Sequence, residues 1–265
     1  MDSKNIIHNL PFDEYCNLER LNNSGIKLIV NHSPFHYKNA ERDETSSLVI
    51  GHAGHTAVLE PDEFESRYAV FPEGMTKTTK EGKSTWAELE SSGKSILRFS
   101  EYTAAMSAAK AIRGNRVANE LLADGDAEVT VLAEIDDVPT KIRIDYYRPD
   151  LGMLIDVKTS DDAGLGAFSR SIASYGYDIQ AAFYLDTCRM LDLPAESFVF
   201  IVVENKAPYG VAVYEIDQTS IEIGREKYQR GLDIYRQCIA FDEWPGYPEE
   251  IQPISLPTWA LRSAA

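Results

Sequence analysis

Residues 141–158 read KIRIDYYRPDLGMLIDVK, and this stretch decides the fold because residue types alternate on both sides of a turn at Gly152. If both halves are strands, side chains two residues apart share a face. Asp156 and Lys158 then project together. The apolar residues between and before them point to the other face, into a core: Met153, Ile155 and Val157. We therefore expect a strand pair, folded at Gly152, at the centre of the protein.

The first half of the stretch places a second carboxylate near Asp156. One strand face carries Ile142, Ile144 and Tyr146, and the other carries Lys141, Arg143 and Asp145. The turn should bring Asp145 toward Asp156, so two carboxylates with Lys158 beside them would form a site for a hard cation. Two carboxylates with an adjacent lysine are typical of sites for metal-assisted phosphodiester hydrolysis.

An isolated Asp-x-Lys triplet is more often a salt bridge at a strand edge on the surface. The flanking Ile155 and Val157 indicate a strand that is buried on one side. A carboxylate in such a strand is costly unless a partner or a metal neutralises it. This context favours the site over the surface salt bridge.

Hydrophobic periodicity extends the prediction outward from this stretch. The expected helices cover 46–60, 100–123, 167–191 and 219–241, and the expected strands cover 128–135, 140–147, 152–158, 197–204 and 210–216. This order predicts an α/β fold with a mixed central β-sheet flanked by helices and an N-terminal helical part. We expect a single domain over 1–265, with 1–25 as a flexible arm and 242–265 as a Pro-rich tail.

Considered by itself, the net charge of −16 argues against a nucleic acid partner, because phosphate contacts require local Lys and Arg. Net charge does not describe how the charged residues are distributed over the surface, however. Lys77, Lys80 and Lys83 concentrate in one polar loop near Trp86, and this loop is the densest candidate for a DNA contact. A solvated, mobile loop is the competing interpretation.

The remaining composition bounds the cellular setting and excludes several enzyme classes. No apolar run approaches the ~20 residues of a membrane span, and no secretory signal is present. Three distant cysteines indicate free thiols in a reducing compartment, so we expect a cytoplasmic protein without a membrane partner. The zinc, serine-hydrolase and iron–sulfur motifs are absent from the sequence.

Two further segments carry candidate site residues. Tyr177, Gln180 and Tyr184 fall on one helical face, where they either reach the site or cover the edge of the core with Gln180 exposed. In GHAGHTAVLEP, His55 has Gly54 beside it and His52 three residues before it. Helical spacing leaves room for only one of the two histidines to face the strands, and each also suits a structural role.

Taken in order, these segments resemble the RecE-type exonucleases (exonuclease VIII) of the PD-(D/E)xK nuclease superfamily. The resemblance covers roughly 26–261. It rests on GHAGHTAVLEP, KTTKEGKSTW, EVTVL, KIRID, LIDVKT, YGYDIQAAFY, DEWPGY and ISLPTWA. The specific part is LIDVKT followed by a Gln-x-x-x-Tyr helix. The chain departs from the family at Ile144, where proline usually precedes the aspartate. The resemblance implies a restriction-endonuclease-like core.

The resemblance also implies roles for individual residues. Asp145, Asp156, His55 and the backbone carbonyl near Val157 would hold Mg²⁺, with Mn²⁺ as a substitute, and Lys158 would be catalytic beside the two aspartates. The residues expected at the substrate are Gln180, Tyr184, Thr159, Lys77, Lys80 and Lys83. Glu128 matches a family glutamate of less certain role. His55 is preferred over His52 because the resemblance aligns it.

By this resemblance the protein would be a magnesium-dependent 5′→3′ exonuclease that acts on double-stranded DNA ends. It would make 3′ single-stranded tails for homologous recombination, beside a RecT-type annealing protein, as a ring-like homo-oligomer such as a tetramer. An endonuclease of the same superfamily is the first alternative. A catalytically silent module that binds DNA ends or another protein is the second.

Overall fold

A computed structural model describes residues 5–41 and 46–256 of the chain. Residues 1–4 of the expected arm and 257–265 of the expected tail, including the end of the ISLPTWA motif, lie outside the described residues. The strands are β1 (Ile6–Ile7), β2 (Tyr68–Phe71), β3 (Ser95–Arg98), β4 (Asp126–Ile135), β5 (Val138–Arg148), β6 (Met153–Ser160), β7 (Ser197–Glu204) and β8 (Val211–Glu215).

Helices surround these strands. They are α1 (Phe12–Asn17), α2 (Asn23–Asn31), α3 (Pro34–Lys38), α4 (Ser46–Leu59), α5 (Phe64–Arg67), α6 (Lys80–Ser91), α7 (Phe99–Gly114), α8 (Arg116–Leu121), α9 (Leu165–Tyr175), α10 (Tyr177–Met190) and α11 (Gln218–Phe241). None of the helices in the described part of the chain combines the length and apolar character needed to cross a bilayer.

Among the described residues, six strands form one sheet in the order β1-β4-β5-β6-β7-β8. The β6–β7 pair is parallel and the other neighbours are antiparallel. The predicted fold class, a mixed central sheet flanked by helices, is confirmed. The short strands β2 and β3 pair separately, in parallel.

Both faces of the sheet are covered. One buried cluster joins Leu154 and Phe200 of the sheet to Phe183 of α10 and to residues of α2 and α11. The other joins Ile155 of the sheet to Ala53 of α4 and to residues of α7. Strand β6 is therefore buried on both faces, whereas the sequence suggested one, and this raises the cost of placing charged residues on it.

Two helices that the sequence predicts as continuous are interrupted. Gly176 adopts φ +63° and ψ +44°, a left-handed conformation that ends α9 and starts α10. Tyr175, at the end of α9, consequently lies 61% exposed, whereas Ile179 and Phe183 of α10 are buried. The helix expected over 100–123 is divided at Asn115, whose side chain caps α8.

The expected loop around Lys77 ends earlier than the sequence suggested. Thr79 caps the N-terminus of α6 by accepting a hydrogen bond from the Gly82 N–H. Lys80 and Lys83 therefore lie on the first turn of a helix, and only Lys77 of the three lysines is in the loop. The cap explains the earlier boundary.

The expectation of a flexible arm over 1–25 is wrong for its described residues. Strand β1 pairs with β4, and Tyr15 and Leu21 are buried. Lys141, which is 2% exposed, donates hydrogen bonds to the carbonyl oxygens of Tyr15, Cys16 and Leu18 at 2.6, 3.2 and 2.8 Å. These are the last carbonyls of α1, so a buried ammonium from β5 fixes the arm to the sheet.

We expect Lys141→Met to lower the free energy of unfolding by about 2–4 kcal/mol, because it leaves three carbonyls without their donor. Urea denaturation at neutral pH measures the change. Lys110→Met, which removes an exposed lysine from α7, is the control and should stay within about 0.5 kcal/mol of wild type. Equal midpoints for both variants would contradict the anchoring role.

Candidate active site

The two strands of the opening stretch separate where their carboxylates meet. The regular pairing of β5 with β6 runs from Arg148–Met153 to Tyr146–Ile155. One step further, Asp145 Oδ2 accepts a hydrogen bond of 2.9 Å from the Val157 N–H. The Asp145 side chain thus takes the position of a backbone partner, and the strands diverge into a notch next to Asp156.

Strand β4 changes direction at the same level. Glu128 stands opposite Asp145 in the β4–β5 register and has φ +54°, outside the usual range for a strand residue. On one side of this point Ala127 and Tyr146 pack toward α4 and α7, and on the other side Val129 and Ile144 pack toward α10. The expectation that Ile144 and Tyr146 share a face is therefore wrong, because the alternation shifts around Asp145.

Helix α4 brings a histidine to the notch. Ala53 and Ala57 pack it against the sheet, and His55 Nδ1 lies 3.4 Å from Asp145 Oδ2. His52 instead packs against the Phe12 ring of α1, with ring centroids 4.6 Å apart. The small alanines allow the close approach, and the structure places His55, the preferred residue, beside the carboxylate.

Asp156 is 2% exposed and is held from two directions. Lys158 Nζ lies 2.6 Å from Asp156 Oδ2, and Gln180 Nε2 donates a 2.6 Å hydrogen bond to Oδ1. The Oδ2 contact is an ion pair without hydrogen-bond alignment. Gln180 is itself buried, so the interpretation that leaves it exposed is wrong. These partners compensate a carboxylate that would otherwise be very costly in this sheet.

The two aspartates meet different electrostatic conditions. Burial, and then the nearby charge of Asp156, raise the pKa of Asp145 from 3.8 to about 7. For Lys158, burial acts to lower the pKa, but the charges of Asp156 and Asp145 outweigh it and leave the pKa raised. Near neutral pH the Lys158 ammonium therefore lies close to Asp145, a carboxyl group that readily takes up a proton.

The donor set suits a hard divalent cation, although the side chains do not form a closed cage. Within residues 5–41 and 46–256, no three His, Cys, Asp or Glu side chains converge as a metal site. Asp145 turns to His55, whereas Asp156 turns to Lys158 and Gln180. Mg²⁺ commonly keeps several waters and takes one or two carboxylates, so Asp145 and Asp156 fit it. A cation between them would also relieve their mutual repulsion.

The remaining candidates from the resemblance are Glu128, Tyr184 and Thr159. Glu128 is paired with Arg143, whose guanidinium also donates to the Leu10 carbonyl oxygen at 2.7 Å. Tyr184 is buried, and its ring packs against Phe183 and against Phe198 of β7. Burial raises the pKa of Tyr184. Thr159 is exposed at the end of β6.

The three lysines of the basic segment, Lys77, Lys80 and Lys83, are away from this cluster. Lys77 Nζ lies 2.7 Å from the centroid of the Trp86 ring, and the other two lysines are exposed. Among the described residues, no contact joins any of the three to Asp145, Asp156 or Lys158. A role in DNA binding remains a prediction for this segment.

Comparison with known proteins identifies the family of the chain. Residues 30–257 match the PDDEXK-like domain of unknown function (DUF3799). The chain belongs to that family. The matched range includes Asp145, Asp156 and Lys158. No curated protein matches the chain.

One of the similar solved structures supports the fold. A crystal structure named "Putative exonuclease" from Eubacterium rectale aligns with a TM-score of 0.61 and 14% identity, over 98% of this chain and 100% of that one. A phage-related exonuclease from Haemophilus somnus aligns over 84% of this chain and 96% of that one, with a TM-score of 0.37 and 16% identity. At these identities the first likeness shows the fold alone.

The raised pKa of Asp145 predicts a pH-dependent stability in metal-free protein. The folded state holds the proton more tightly than the unfolded state, so stability is full below pH 3.8 and is lost as pH rises through about 7. Asp145→Asn should therefore unfold at a higher temperature than wild type at pH 8, and the gain should disappear near pH 4. Circular dichroism melts in EDTA measure both midpoints.

The control for this prediction is Asp233→Asn, which removes an exposed carboxylate from α11. It should give no comparable gain at pH 8. An Asp145→Asn variant that is no more stable than wild type at pH 8 would show that this carboxylate is adequately compensated without a cation.

Proposed function

We propose that this protein is a metal-dependent deoxyribonuclease. The observation that carries the proposal is the notch between β5 and β6, where Asp145 and Asp156 lie next to each other and Lys158 pairs with Asp156. Membership of a PDDEXK-like family agrees with this chemistry. The exonuclease name of the Eubacterium rectale protein agrees with it as well.

Each residue of the notch then has a task. Asp145, Asp156 and His55 would hold a divalent ion, which supplies activation of water and neutralisation of charge on the phosphate. Gln180 keeps Asp156 in place through its 2.6 Å hydrogen bond. Lys158 shares Asp156 with the cation site, so its ammonium can turn to a phosphate oxygen as negative charge develops there.

The finer proposal follows the resemblance to RecE-type enzymes. The protein would digest double-stranded DNA ends in the 5′→3′ direction with Mg²⁺, or Mn²⁺ as a substitute, and leave 3′ tails for recombination. A RecT-type annealing protein would be its partner, and a ring-like homo-oligomer in the cytoplasm its working form. The order of motifs along nearly the whole chain supports this version over an endonuclease. The retained carboxylates and lysine support it over a silent binding module.

We expect Asp156→Asn to reduce cleavage by about 1,000-fold or more, because it removes a charge that the cation needs. Asparagine keeps the oxygen that accepts from Gln180 but places its NH2 group toward Lys158, whereas alanine would remove both contacts. The assay digests linear duplex labelled at the 5′ or the 3′ end, and closed circular duplex, with Mg²⁺ or EDTA. Asp233→Asn is the matched control and should retain activity.

The DNA forms separate the candidate functions. Release of nucleotides from the 5′ end of linear duplex, with no cleavage of the circle, supports the exonuclease. Cleavage of the circle supports the endonuclease. Binding of ends without cleavage under any divalent ion supports the silent module. Wild-type activity in Asp156→Asn would remove Asp156 from the metal site.

Lys158→Met should lower the turnover number strongly and leave DNA affinity nearly unchanged, as expected for a group that acts mainly in the transition state. Single-turnover cleavage and anisotropy binding in the same buffer measure the two quantities. Lys110→Met controls for the loss of one positive charge at an exposed position. A fall in affinity alone would instead make Lys158 a phosphate anchor.

The basic segment gives a separate prediction. If Lys77, Lys80 and Lys83 grip the backbone, their joint replacement by alanine should lower the salt slope of DNA binding by about one unit per lysine. Single-turnover cleavage at saturating enzyme should survive, since these side chains do not contact the notch. An unchanged slope would place the DNA elsewhere on the protein.

A further inference from the structure

A second lysine, Lys27 of α2, lies near the same Tyr177 ring as Lys158. Lys27 Nζ lies 5.8 Å from the centroid of the Tyr177 ring, and Lys158 Nζ lies 4.7 Å from the same centroid. The two ammonium nitrogens are therefore no farther apart than the sum of these distances. A single segment of an extended anionic chain can contact both.

The helix break at Gly176 creates the room for this approach. A Cβ at Gly176 would lie 3.0 Å from Lys27 Cδ, closer than side chains normally pack. Because glycine has no Cβ, the aliphatic part of Lys27 can lie along the backbone between α9 and α10. The left-handed residue that starts α10 thus also brings Lys27 to the site.

Lys27 lacks the compensation that other half-buried lysines in this fold receive. Within the described residues its ammonium has no ion pair or hydrogen bond. The nearby Asp156 is already held by Lys158, and Asp178 is held by Lys227 at 2.5 Å. Burial, and then the positive charge of Lys158, lower the pKa of Lys27 to about 8. The two neighbouring positive charges repel each other, and a bound anion would reduce this repulsion.

We propose that Lys27 binds a non-bridging oxygen of the DNA phosphate next to the one that Lys158 contacts. The inference rests on the proposed nuclease function and adds a substrate-positioning residue from the N-terminal helical part. A phosphodiester backbone supplies negative charges at regular spacing, which matches two cations along one ring. It would also offset the repulsion between Lys27 and Lys158.

The test compares Lys27→Gln, Lys27→Arg and the exposed control Lys110→Gln with wild type. Anisotropy of a labelled DNA duplex is measured against NaCl concentration in EDTA, and single-turnover cleavage is measured separately with Mg²⁺. Lys27→Gln should lower the salt slope by about one unit and weaken binding at low salt by about tenfold. Its cleavage at saturating enzyme should be affected less than its affinity. Lys27→Arg should restore both binding values, and Lys110→Gln should match wild type.

The outcomes separate this inference from the proposed function. Wild-type cleavage with an unchanged slope in Lys27→Gln overturns the phosphate contact and leaves the nuclease assignment intact. Equal losses in Lys27→Gln and Lys27→Arg, with lowered melting temperatures, overturn it in favour of a structural role. A wild-type protein that neither binds nor cleaves DNA overturns both proposals.

Discussion

The structure depends on how a carboxylate is kept in the middle of a sheet that is covered on both faces. Asp156 is 2% exposed, and it is tolerated because Lys158 and Gln180 both contact it. These two partners come from β6 and from α10, so the helix must cross the sheet in one position. Gly176 sets that position because α10 begins there. The helix break at Gly176 therefore both redirects the chain and positions Gln180 next to Asp156.

The negative charge of Asp145 has weaker partners than that of Asp156, and this difference affects how the two carboxyl groups behave. The Val157 N–H and a histidine 3.4 Å away do not offset its burial and the nearby Asp156 charge, so its pKa rises to about 7. Asp156, by contrast, has a lysine in contact. Under the proposed function, a divalent cation would relieve the first carboxylate and would compete with the lysine for the second. Metal binding would then be coupled to release of the Lys158 ammonium, which could act on a phosphate.

Local patterns predicted the parts of this arrangement that depend on local geometry. Asp156 and Lys158 are two residues apart in a strand, so their shared face follows from period two. The turn at Gly152 predicted that Asp145 lies near Asp156 on the neighbouring strand. The shift in alternation at Glu128 had no such signal, because positive φ in a non-glycine residue is not encoded by the residue type alone. Nor did the contact of Lys141 with Tyr15, since it joins residues 126 positions apart.

The net charge of −16 also needed the structure for its interpretation. Many cations are already engaged by the protein itself: Arg148 pairs with Asp150, and Arg113 donates to the carbonyl oxygens at the end of α4. Lys27, Lys80 and Lys83 have no carboxylate partner within the described residues. A polyanion responds to such uncompensated charges within about a Debye length, roughly 10 Å at 0.1 M salt, whereas the acidic remainder is largely screened beyond it. Under the proposed nuclease function, the positions of such cations would therefore matter more for the approach of DNA than the total charge does.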